Sequence, residues 1–316
     1  MTIPIIYLFL LLFISCAGQQ QKTESVEAIE TKMTFRLPEV PSILHSPEAR
    51  AQFISEHYWD NFDFADTAYI HLPDITQQAI VNFMDLMQRV PQNIAEKSIS
   101  NLYDKASPHP AMLGHFWETM SRYWNDATSP LKNEGMFIVL CRQIEQHPQV
   151  DEALKQRAAY ACRLAEKNRV GHLATDFVYT LASGKQGRLY RIKADYILLF
   201  LYNPDCDICT DIKNRMKQSS VLNEMLHNGT LKILTIYPDD DIALWQNRIA
   251  ELSEKWINAY DKEQILSRDL LYDLSSMPSF YLLDKEKRVL LKDADWNQVM
   301  EQFDLIQRNT HCGNCR

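Results

Sequence analysis

The sequence lacks the motifs of several common enzyme classes. It has no glycine-rich phosphate-binding loop, no Gly-x-Ser-x-Gly nucleophile motif and no His-Glu-x-x-His motif. The nine histidines show no spacing typical of a metal site. The chain also has no basic stripe, and its net charge of −8 would be repelled by nucleic-acid phosphates. These absences argue against nucleotide, serine-hydrolase and metalloprotease chemistry and against a nucleic-acid partner.

The sequence also lacks a long apolar run at the N-terminus, because the apolar run there is too short to span a bilayer well. Residues 3–14 are almost wholly apolar and lead directly into the sequence Ser-Cys-Ala-Gly around Cys16. Such a run fits the core of a secretory signal better than a transmembrane helix. Small residues around a cysteine resemble a bacterial lipoprotein signal, although no Lys or Arg precedes the run and Phe13 replaces the usual Leu. The alternative is a plain N-terminal anchor or a misassigned start.

The lipoprotein resemblance implies cleavage before Cys16, lipidation of Cys16 and attachment to the cell envelope. No strong acidic run follows Cys16, which favours the periplasmic side. The length of 316 residues is sufficient for about two further domains. The predicted segments are a signal peptide (1–15), a tether (16–33), an all-α helical domain (34–168), an α/β domain (169–308) and a Cys-x-x-Cys tail (309–316).

The predicted helical domain repeats apolar side chains at helical spacing. Its first helix is expected to start at Ser46, because Pro47 follows this capping residue. The later helices are predicted over residues 80–87, 112–124, 136–144 and 151–168. We interpret this region as a helical bundle whose aromatic and Met side chains form a core.

Secretion changes the interpretation of the cysteines, because thiols outside the cytosol can be oxidised. Of the seven cysteines, six remain after Cys16, and four of these form two Cys-x-x-Cys pairs. The other two, Cys141 and Cys162, lie on predicted helices. We expect them to be either buried free thiols or one structural disulfide.

The second domain alternates between strand and helix patterns. Strands are predicted over residues 177–181, 189–192, 196–202, 231–237, 279–283 and 288–291, and helices over residues 206–227, 242–260 and 296–307. The strand at 196–202 is apolar throughout, as in a strand buried on both faces. The alternation predicts an α/β fold with a central sheet flanked by helices.

The first Cys-x-x-Cys pair, Cys206 and Cys209, follows the buried strand and opens a helix. A helix N-terminus favours thiolate over thiol, and the spacing leaves the first sulfur near the surface and the second one turn inward. This favours a nucleophile at Cys206 and a resolving thiol at Cys209. Half of a zinc site is less favoured, because no second ligand pair lies nearby in sequence. Two buried thiols without a chemical role would explain poorly why the pair lies at the junction of a strand and a helix.

Two acids flank the first cysteine. Asp205 and Asp207 lie against Cys206 and disfavour a second negative charge there. A thiolate destabilised by one pKa unit, about 1.4 kcal/mol, makes a dithiol couple more reducing by about 30 mV. The helix N-terminus acts in the opposite direction. We therefore predict a reducing rather than a strongly oxidising pair, with helix capping as the alternative role of the two acids.

These features resemble a thioredoxin-like thiol–disulfide oxidoreductase domain of the secreted, membrane-tethered kind, over residues 169–308. The family's second fingerprint, a cis-proline beside the Cys-x-x-Cys, is matched by Met277 and Pro278. The resemblance implies that these two residues face Cys206 and shape the substrate groove. It also implies protein thiols and disulfides as substrates, an electron donor of unknown identity and no cofactor. The long interval before Pro278 implies an inserted helix or excursion around 238–267.

The helical region resembles, by its layout, the domain of unknown function DUF5106 that precedes such modules in Bacteroidetes lipoproteins. Three positions of the thioredoxin-like region depart from the family pattern: Asp205 replaces a Trp, Phe200 replaces a buried acid, and Ile208 replaces Pro or His. These departures keep open a second hypothesis, a binding protein without efficient turnover. Asn203 stands where peroxiredoxins place Thr or Ser, which argues against peroxidase chemistry.

The second Cys-x-x-Cys pair, Cys312 and Cys315, is predicted to lie beyond the last helix. Three interpretations remain open. The pair is a flexible dithiol that passes electrons to Cys206 and Cys209, a soft-metal site together with His311, or a surface pair that oxidises without a role.

Overall fold

The structure, a computed structural model, describes residues 35–126 and 128–313, with side chains up to residue 308. The predicted signal peptide, tether and lipidation site at Cys16 lie outside the described residues, as do Cys315 and the side chain of Cys312. Within the described residues, no helix combines the length and the apolar character needed to cross a bilayer.

The first described region is a helical bundle, as predicted. Its α-helices are α1 (Pro47–His57), α2 (Thr76–Met87), α3 (Gln92–Ala106), α4 (Pro110–Asn125), α5 (Glu134–Gln146) and α6 (Glu152–Glu166), with a 3-10 turn at Thr67–His71. Helix α1 starts as expected, because the Ser46 side chain accepts a hydrogen bond from the Ala49 amide at 3.1 Å and Pro47 follows it.

Helix α3 is absent from the sequence-based prediction. Its buried face mixes large residues, such as Ile99 and Leu102, with the small residues Ala95, Ser98 and Ala106. Small side chains weaken an apolar stripe in the sequence, but they allow α3 to pack between α1 and α5.

The bundle encloses one apolar core, which includes the fully buried Phe83, Phe116 and Trp124. Cys141 on α5 is fully buried, and Cys162 on α6 is 5% exposed. Both are free thiols, which is the first of the two predicted alternatives.

The second region contains one seven-stranded mixed sheet with the strand order β2-β1-β5-β4-β3-β6-β7. The strands are β1 (Val178–Leu181), β2 (Gln186–Arg188), β3 (Tyr196–Leu201), β4 (Leu231–Tyr237), β5 (Ile257–Tyr260), β6 (Ser279–Asp284) and β7 (Val289–Ala294). Strands β3, β4 and β5 are parallel, whereas β6 is antiparallel to β3.

The helices of this region are α7 (Asp207–Gln218), α8 (Ser220–His227), α9 (Ile242–Arg248), α10 (Ile265–Arg268) and α11 (Trp296–Gly313), with 3-10 turns at Leu189–Arg191 and Ile249–Glu251. Successive β3 side chains point to opposite faces of the sheet. Phe200 packs towards α7, α8 and α11, whereas Leu199 and Leu201 pack towards α10 and the first of the two 3-10 turns. Burial on both faces explains the continuous apolar run and confirms the predicted α/β sheet flanked by helices.

The helix predicted over 242–260 is wrong in its second half. Helix α9 ends at Arg248, the 3-10 turn Ile249–Glu251 follows, and β5 then occupies Ile257–Tyr260 between β1 and β4. Leu252 and Trp256 are buried at a spacing that also fits a helix. Backbone pairing with β4 decides in favour of a strand, which the local apolar pattern does not show.

The strand predicted over 189–192 is also wrong, because residues Leu189–Arg191 form a 3-10 turn. The partner of β1 is β2, which begins within the stretch 183–187, whose Ser and Gly residues favour a turn. Gly187 suggests a turn in the sequence, but in the structure it lets the Tyr179 ring lie close to the backbone of β2. A Cβ atom at this position would lie 2.3 Å from the Tyr179 ring, so any larger residue would force that ring to move.

Two helix boundaries also differ from the prediction. The single helix expected over 206–227 is divided into α7 and α8 at Ser219, whose side chain accepts a hydrogen bond from the Leu222 amide at 3.3 Å. The last helix, capped by Asp295 as predicted, continues to Gly313 instead of ending near residue 307. The backbone at Cys312 is therefore helical and does not lie beyond the last helix.

A buried lysine joins the two regions. Lys292 on β7 donates hydrogen bonds to the carbonyl oxygens of Ala165 at 2.8 Å and Lys167 at 2.7 Å, at the end of α6, and it pairs with Glu134 at the start of α5. Lys292 is 9% exposed, so loss of its partners at the ends of α5 and α6 would leave a buried ammonium group unpaired. The contact fixes the end of the bundle against the edge of the sheet.

Candidate functional site

The first Cys-x-x-Cys pair lies where β3 ends and α7 begins. Cys206 is the N-cap of α7, and its Sγ accepts a hydrogen bond from the Cys209 amide at 3.1 Å. The same Sγ lies 3.9 Å from the Met277 carbonyl oxygen. An amide donor and the helix N-terminus both favour negative charge on this sulfur.

The two sulfurs differ in exposure, as the spacing predicts. Cys206 is partly exposed, whereas Cys209 is 1% exposed. Burial raises the pKa of Cys209 to about 12, and its contact with Cys206 contributes in the same direction. Cys209 therefore stays protonated while Cys206 faces solvent. The roles of nucleophile and resolving thiol remain predictions.

The segment before β6 lies opposite the cysteines. The Met277–Pro278 peptide bond is cis, as the sequence motif indicates. Ser279 opens β6 and pairs with Leu201, the last residue of β3. This register brings Met277 beside Cys206, as expected, and places Pro278 at the same end of the sheet.

The flanking acids have different surroundings. Asp205 is exposed and lies 3.6 Å from Arg248, which compensates part of its charge. Asp207 is exposed in the first turn of α7, where an acid interacts favourably with the helix N-terminus. Neither acid is the side-chain cap, because Cys206 occupies that position. The capping alternative is therefore wrong as stated, although Asp207 still interacts with the helix end.

The sequence-based prediction missed a charged network behind Cys209. Lys213, one turn further along α7, is 3% exposed and pairs with Glu251. Glu251 also pairs with Arg248 at 2.7 Å, which in turn faces Asp205. The hydrogen bonds from Lys213 and Arg248 lower the pKa of Glu251. The local signal was the i,i+3 spacing of Arg248 and Glu251, but only the fold brings Lys213 to them.

The position of the family's usual buried acid is filled by an aromatic stack. The Phe200 ring lies 4.9 Å from the Phe280 ring and 5.2 Å from the Tyr202 ring, centroid to centroid, and both pairs are stacked. Burial raises the pKa of Tyr202, so its hydroxyl stays neutral. The side chains at the end of β3, on the sheet face that packs against Cys209, are therefore aromatic.

Metal binding is one alternative for the cysteine pairs. Across 35–126 and 128–308, no group of three or more His, Cys, Asp or Glu side chains is arranged to hold a metal ion. The soft-metal interpretation of His311, Cys312 and Cys315 lies outside the side chains that the structure describes. The auxiliary-dithiol interpretation of that tail likewise remains a prediction.

Comparisons with known proteins agree with the two-part architecture. The family model described as a domain of unknown function, DUF5106, matches residues 15–168. A thioredoxin-like protein from Bacteroides caccae has a crystal structure that is 40% identical in sequence. The match covers 86% of this chain and 99% of that chain, with a TM-score of 0.71. A comparison with curated proteins finds no match.

Shorter solved structures each match less than half of this chain. The C-terminal domain of an uncharacterised protein from Bacteroides fragilis is 42% identical, covering 43% of this chain and 98% of that chain, with a TM-score of 0.43. The thioredoxin domain of a thiol-disulfide oxidoreductase from Bacteroides vulgatus is 17% identical, covering 44% of this chain and 96% of that chain, with a TM-score of 0.38. The full-length similarity to the Bacteroides caccae protein and the match to the domain model show that this chain belongs to the thioredoxin-like family and carries a DUF5106 domain ahead of its thioredoxin-like domain.

Proposed function

We propose that the protein is a thiol–disulfide oxidoreductase that exchanges disulfides through Cys206 and Cys209. One observation carries this proposal. The partly exposed Cys206 sulfur accepts an amide hydrogen bond at a helix N-terminus, and a second, buried thiol lies within the same turn. A nucleophilic thiolate and a protected resolving thiol need this asymmetry.

The exchange proceeds in two steps. The Cys206 thiolate attacks one sulfur of a substrate disulfide, the substrate S–S bond breaks, and the departing sulfur leaves as a thiolate that takes up a proton. Cys209 then loses its proton and attacks Cys206, which releases the second substrate thiol and leaves a Cys206–Cys209 disulfide. A reductant of the thiol class restores the dithiol. Cys206 stops raising the pKa of Cys209 once its charge is lost in the mixed disulfide, so the second step is favoured after the first.

We propose that the pair acts as a reductant. Asp207 carries an exposed negative charge one residue after Cys206 and disfavours the thiolate. Asp205 acts in the same direction but less strongly, because Arg248 faces it. A less stable thiolate means a less stable reduced form and a lower reduction potential. The helix N-terminus opposes this effect, and the acids are proposed to outweigh it.

The proposed location is the cell envelope, on the periplasmic side, with a lipid on Cys16 as the anchor. The support is the Ser-Cys-Ala-Gly sequence that follows the short apolar run at residues 3–14. The proposed partners are protein disulfides and a thiol reductant. Palmitate labelling of the full chain in a bacterial host, with Cys16→Ala as the control, tests the anchor. Equal labelling of both forms would contradict it.

The mixed-disulfide intermediate provides the main test of function. With Cys209→Ser, the second step is blocked, so adducts should accumulate on Cys206 in envelope extracts. The Cys206→Ser, Cys209→Ser double variant is the control and should give none at this site. Mass spectrometry locates the adduct, which separates Cys206 from Cys312 and Cys315. No adduct on Cys206 would reject the proposed function.

The aromatic stack around Phe200 favours a second candidate, a thioredoxin-like binding protein without efficient turnover. An aromatic ring in place of a carboxylate cannot accept the Cys209 proton. In that case Cys206 would still form adducts, but the wild-type protein would not release them. Single-turnover release in the wild-type protein therefore distinguishes the two candidates.

A further inference from the structure

A cleft of about 450 Å³ lies between the helical domain and the thioredoxin-like domain. One wall is the C-terminal end of α4, including Ser121 and Asn125. The other is formed by the segments 273–279 and 293–295 of the thioredoxin-like domain. Pro278 lines this cleft, and its neighbour Met277 contacts Cys206. The cleft therefore starts at the residue that follows Met277, whose carbonyl oxygen lies 3.9 Å from the proposed reactive sulfur.

The lining is strongly acidic. Asp126, Asp273, Asp293 and Asp295 line the cleft, whereas Arg122 is its one cationic lining residue. Across the described residues, no Lys or Arg side chain lies within ion-pair distance of these four carboxylates. Two of the acids mainly satisfy backbone amides: Asp126 bonds Thr128, and Asp295 caps α11. None of these hydrogen bonds supplies a positive charge, so the lining keeps four carboxylates against one Arg.

Asp273 and Asp293 come from different segments but meet at the same cleft. Asp293 accepts a hydrogen bond from the Tyr281 hydroxyl, and Asp273 accepts one from the Ser275 amide at 2.9 Å. Removal from water raises the pKa of Asp293 to about 6. The negative charge of Asp273 also raises this pKa, whereas the positive charges of Lys292 and Lys132 lower it. A cation placed between these carboxylates would relieve their mutual repulsion.

Buried hydroxyl groups on both walls provide an independent indication of a ligand. Ser279 is 5% exposed, and its Oγ has no hydrogen-bond partner among the described residues. Ser279 and Tyr281 are two residues apart on β6 and point to the same face, and the Tyr281 hydroxyl reaches Asp293 in the cleft. Ser121 on the opposite wall also has a buried Oγ without a described partner. Unpaired buried hydroxyls of this kind are uncommon in folded proteins.

We propose that this interdomain cleft binds the polypeptide flanking the substrate cysteine and selects a Lys or Arg side chain through Asp273 and Asp293. The proposal rests on the function proposed above and names the substrate class of that site. Described residues offer no arrangement for a metal ion, so an organic cation fits the carboxylates better. Ser121 and Ser279, whose hydroxyls lack a described partner, line the same cleft. The helical domain thereby supplies one wall of the substrate site.

The test uses short cysteine peptides activated as thionitrobenzoate mixed disulfides, identical except for Arg, Gln or Glu beside the cysteine. In the full chain with Cys209→Ser, the Cys206 thiolate attacks the peptide sulfur, and thionitrobenzoate leaves with the electron pair of the broken S–S bond. Its release gives the rate, and mass spectrometry confirms the adduct on Cys206. We expect the Arg peptide to react about fivefold faster than the Glu peptide at low salt.

Variants then locate the source of the selectivity. Asp273→Asn together with Asp293→Asn should reduce the ratio to below about twofold, because each Asn keeps an acceptor oxygen and loses the charge. Asn also tolerates the positive φ of 48° at residue 293. Asp195→Asn removes one carboxylate charge just before β3, at the end opposite Cys206, and should keep the ratio. Asn125→Trp should slow all three peptides relative to the symmetric thionitrobenzoate disulfide by filling the cleft.

The outcomes separate the two proposals. Adducts on Cys206 that form equally fast with Arg and Glu peptides would overturn the cleft proposal and leave the redox function intact. Selectivity that survives in the double Asn variant would overturn it too. No reaction of Cys206 with any disulfide would reject the proposed function and the cleft proposal together.

Discussion

Cys141 and Cys162 in the helical domain and Cys206 and Cys209 in the thioredoxin-like domain place the same side chain in contrasting surroundings. The first two lie inside helices α5 and α6, and burial raises the pKa of both thiols. Cys206 instead caps α7 and accepts an amide hydrogen bond. The comparison shows that the position within a helix and the exposure give cysteines of one chain different surroundings, on which thiol reactivity depends.

The largest expected effect is on turnover. Cys206→Ser should lower disulfide reduction by on the order of a hundredfold or more, because a hydroxyl does not replace a thiolate in exchange. Cys162→Ala in the helical domain should keep turnover and lose about 1 kcal/mol of stability through lost packing. The measurements are insulin reduction with a thiol donor and guanidinium unfolding. Equal turnover loss in both variants would remove the distinction between the two regions.

Both regions contain a buried thiol, and each should lower the free energy of unfolding at alkaline pH. The pKa of Cys209 is about 12 in the folded protein and near 9.0 in the unfolded chain. Between these values the folded state holds more protons, so the free energy of unfolding falls as pH rises, and below pH 9 the stabilisation is complete. For this group the loss is about 1 kcal/mol between pH 9 and pH 10.

The matched variants are Cys209→Ala and Cys141→Ala, since burial raises the pKa of both thiols. Each should show a shallower fall of unfolding free energy with pH than the wild-type protein, measured by guanidinium unfolding under reducing conditions. Parallel curves for all three proteins would show that the buried thiols do not contribute to the alkaline instability.

A smaller effect is expected from the charges that distinguish the two cysteine environments. Asp207→Asn should stabilise the Cys206 thiolate and raise the reduction potential by about 15–30 mV. Asp205→Asn should raise it less, because Arg248 already faces that carboxylate. Equilibration with glutathione measures both potentials. A lower potential in Asp207→Asn would contradict the assigned direction.

The smallest effect is expected for the second pair, Cys312 and Cys315, which in one of its three interpretations passes electrons to the first pair. Deletion of residues 310–316 should lower turnover with a thiol reductant by about twofold if the pair assists re-reduction. Cys312→Ser, Cys315→Ser tests the same role without shortening the helix. Unchanged turnover in both forms would leave the second pair without a redox role.

Local sequence was sufficient for features that a particular residue type marks, such as helix caps and a cis-proline. Ser46 and Asp295 cap helices as expected, and the Met277–Pro278 bond is cis. Local sequence was insufficient where pairing with a distant strand competes with the local apolar pattern. The strand β5 lies in a segment whose apolar spacing also fits a helix, and Gly187 signals a turn but opposes Tyr179 within a hairpin. Strand pairing depends on partners far along the chain, which a local window does not contain.

The candidate site divides in the same way. The sequence alone determined where the Cys206–Cys209 pair lies, because a Cys-x-x-Cys after a buried strand places one sulfur at the helix start and the other one turn inward. Only the tertiary structure decided what surrounds it. Lys213, Glu251 and Arg248 meet behind Cys209, and the acidic cleft forms where Asn125 of the helical domain faces Asp293 of β7. Helix periodicity fixes neighbours within a turn, whereas contacts between distant segments arise only when the two domains pack together.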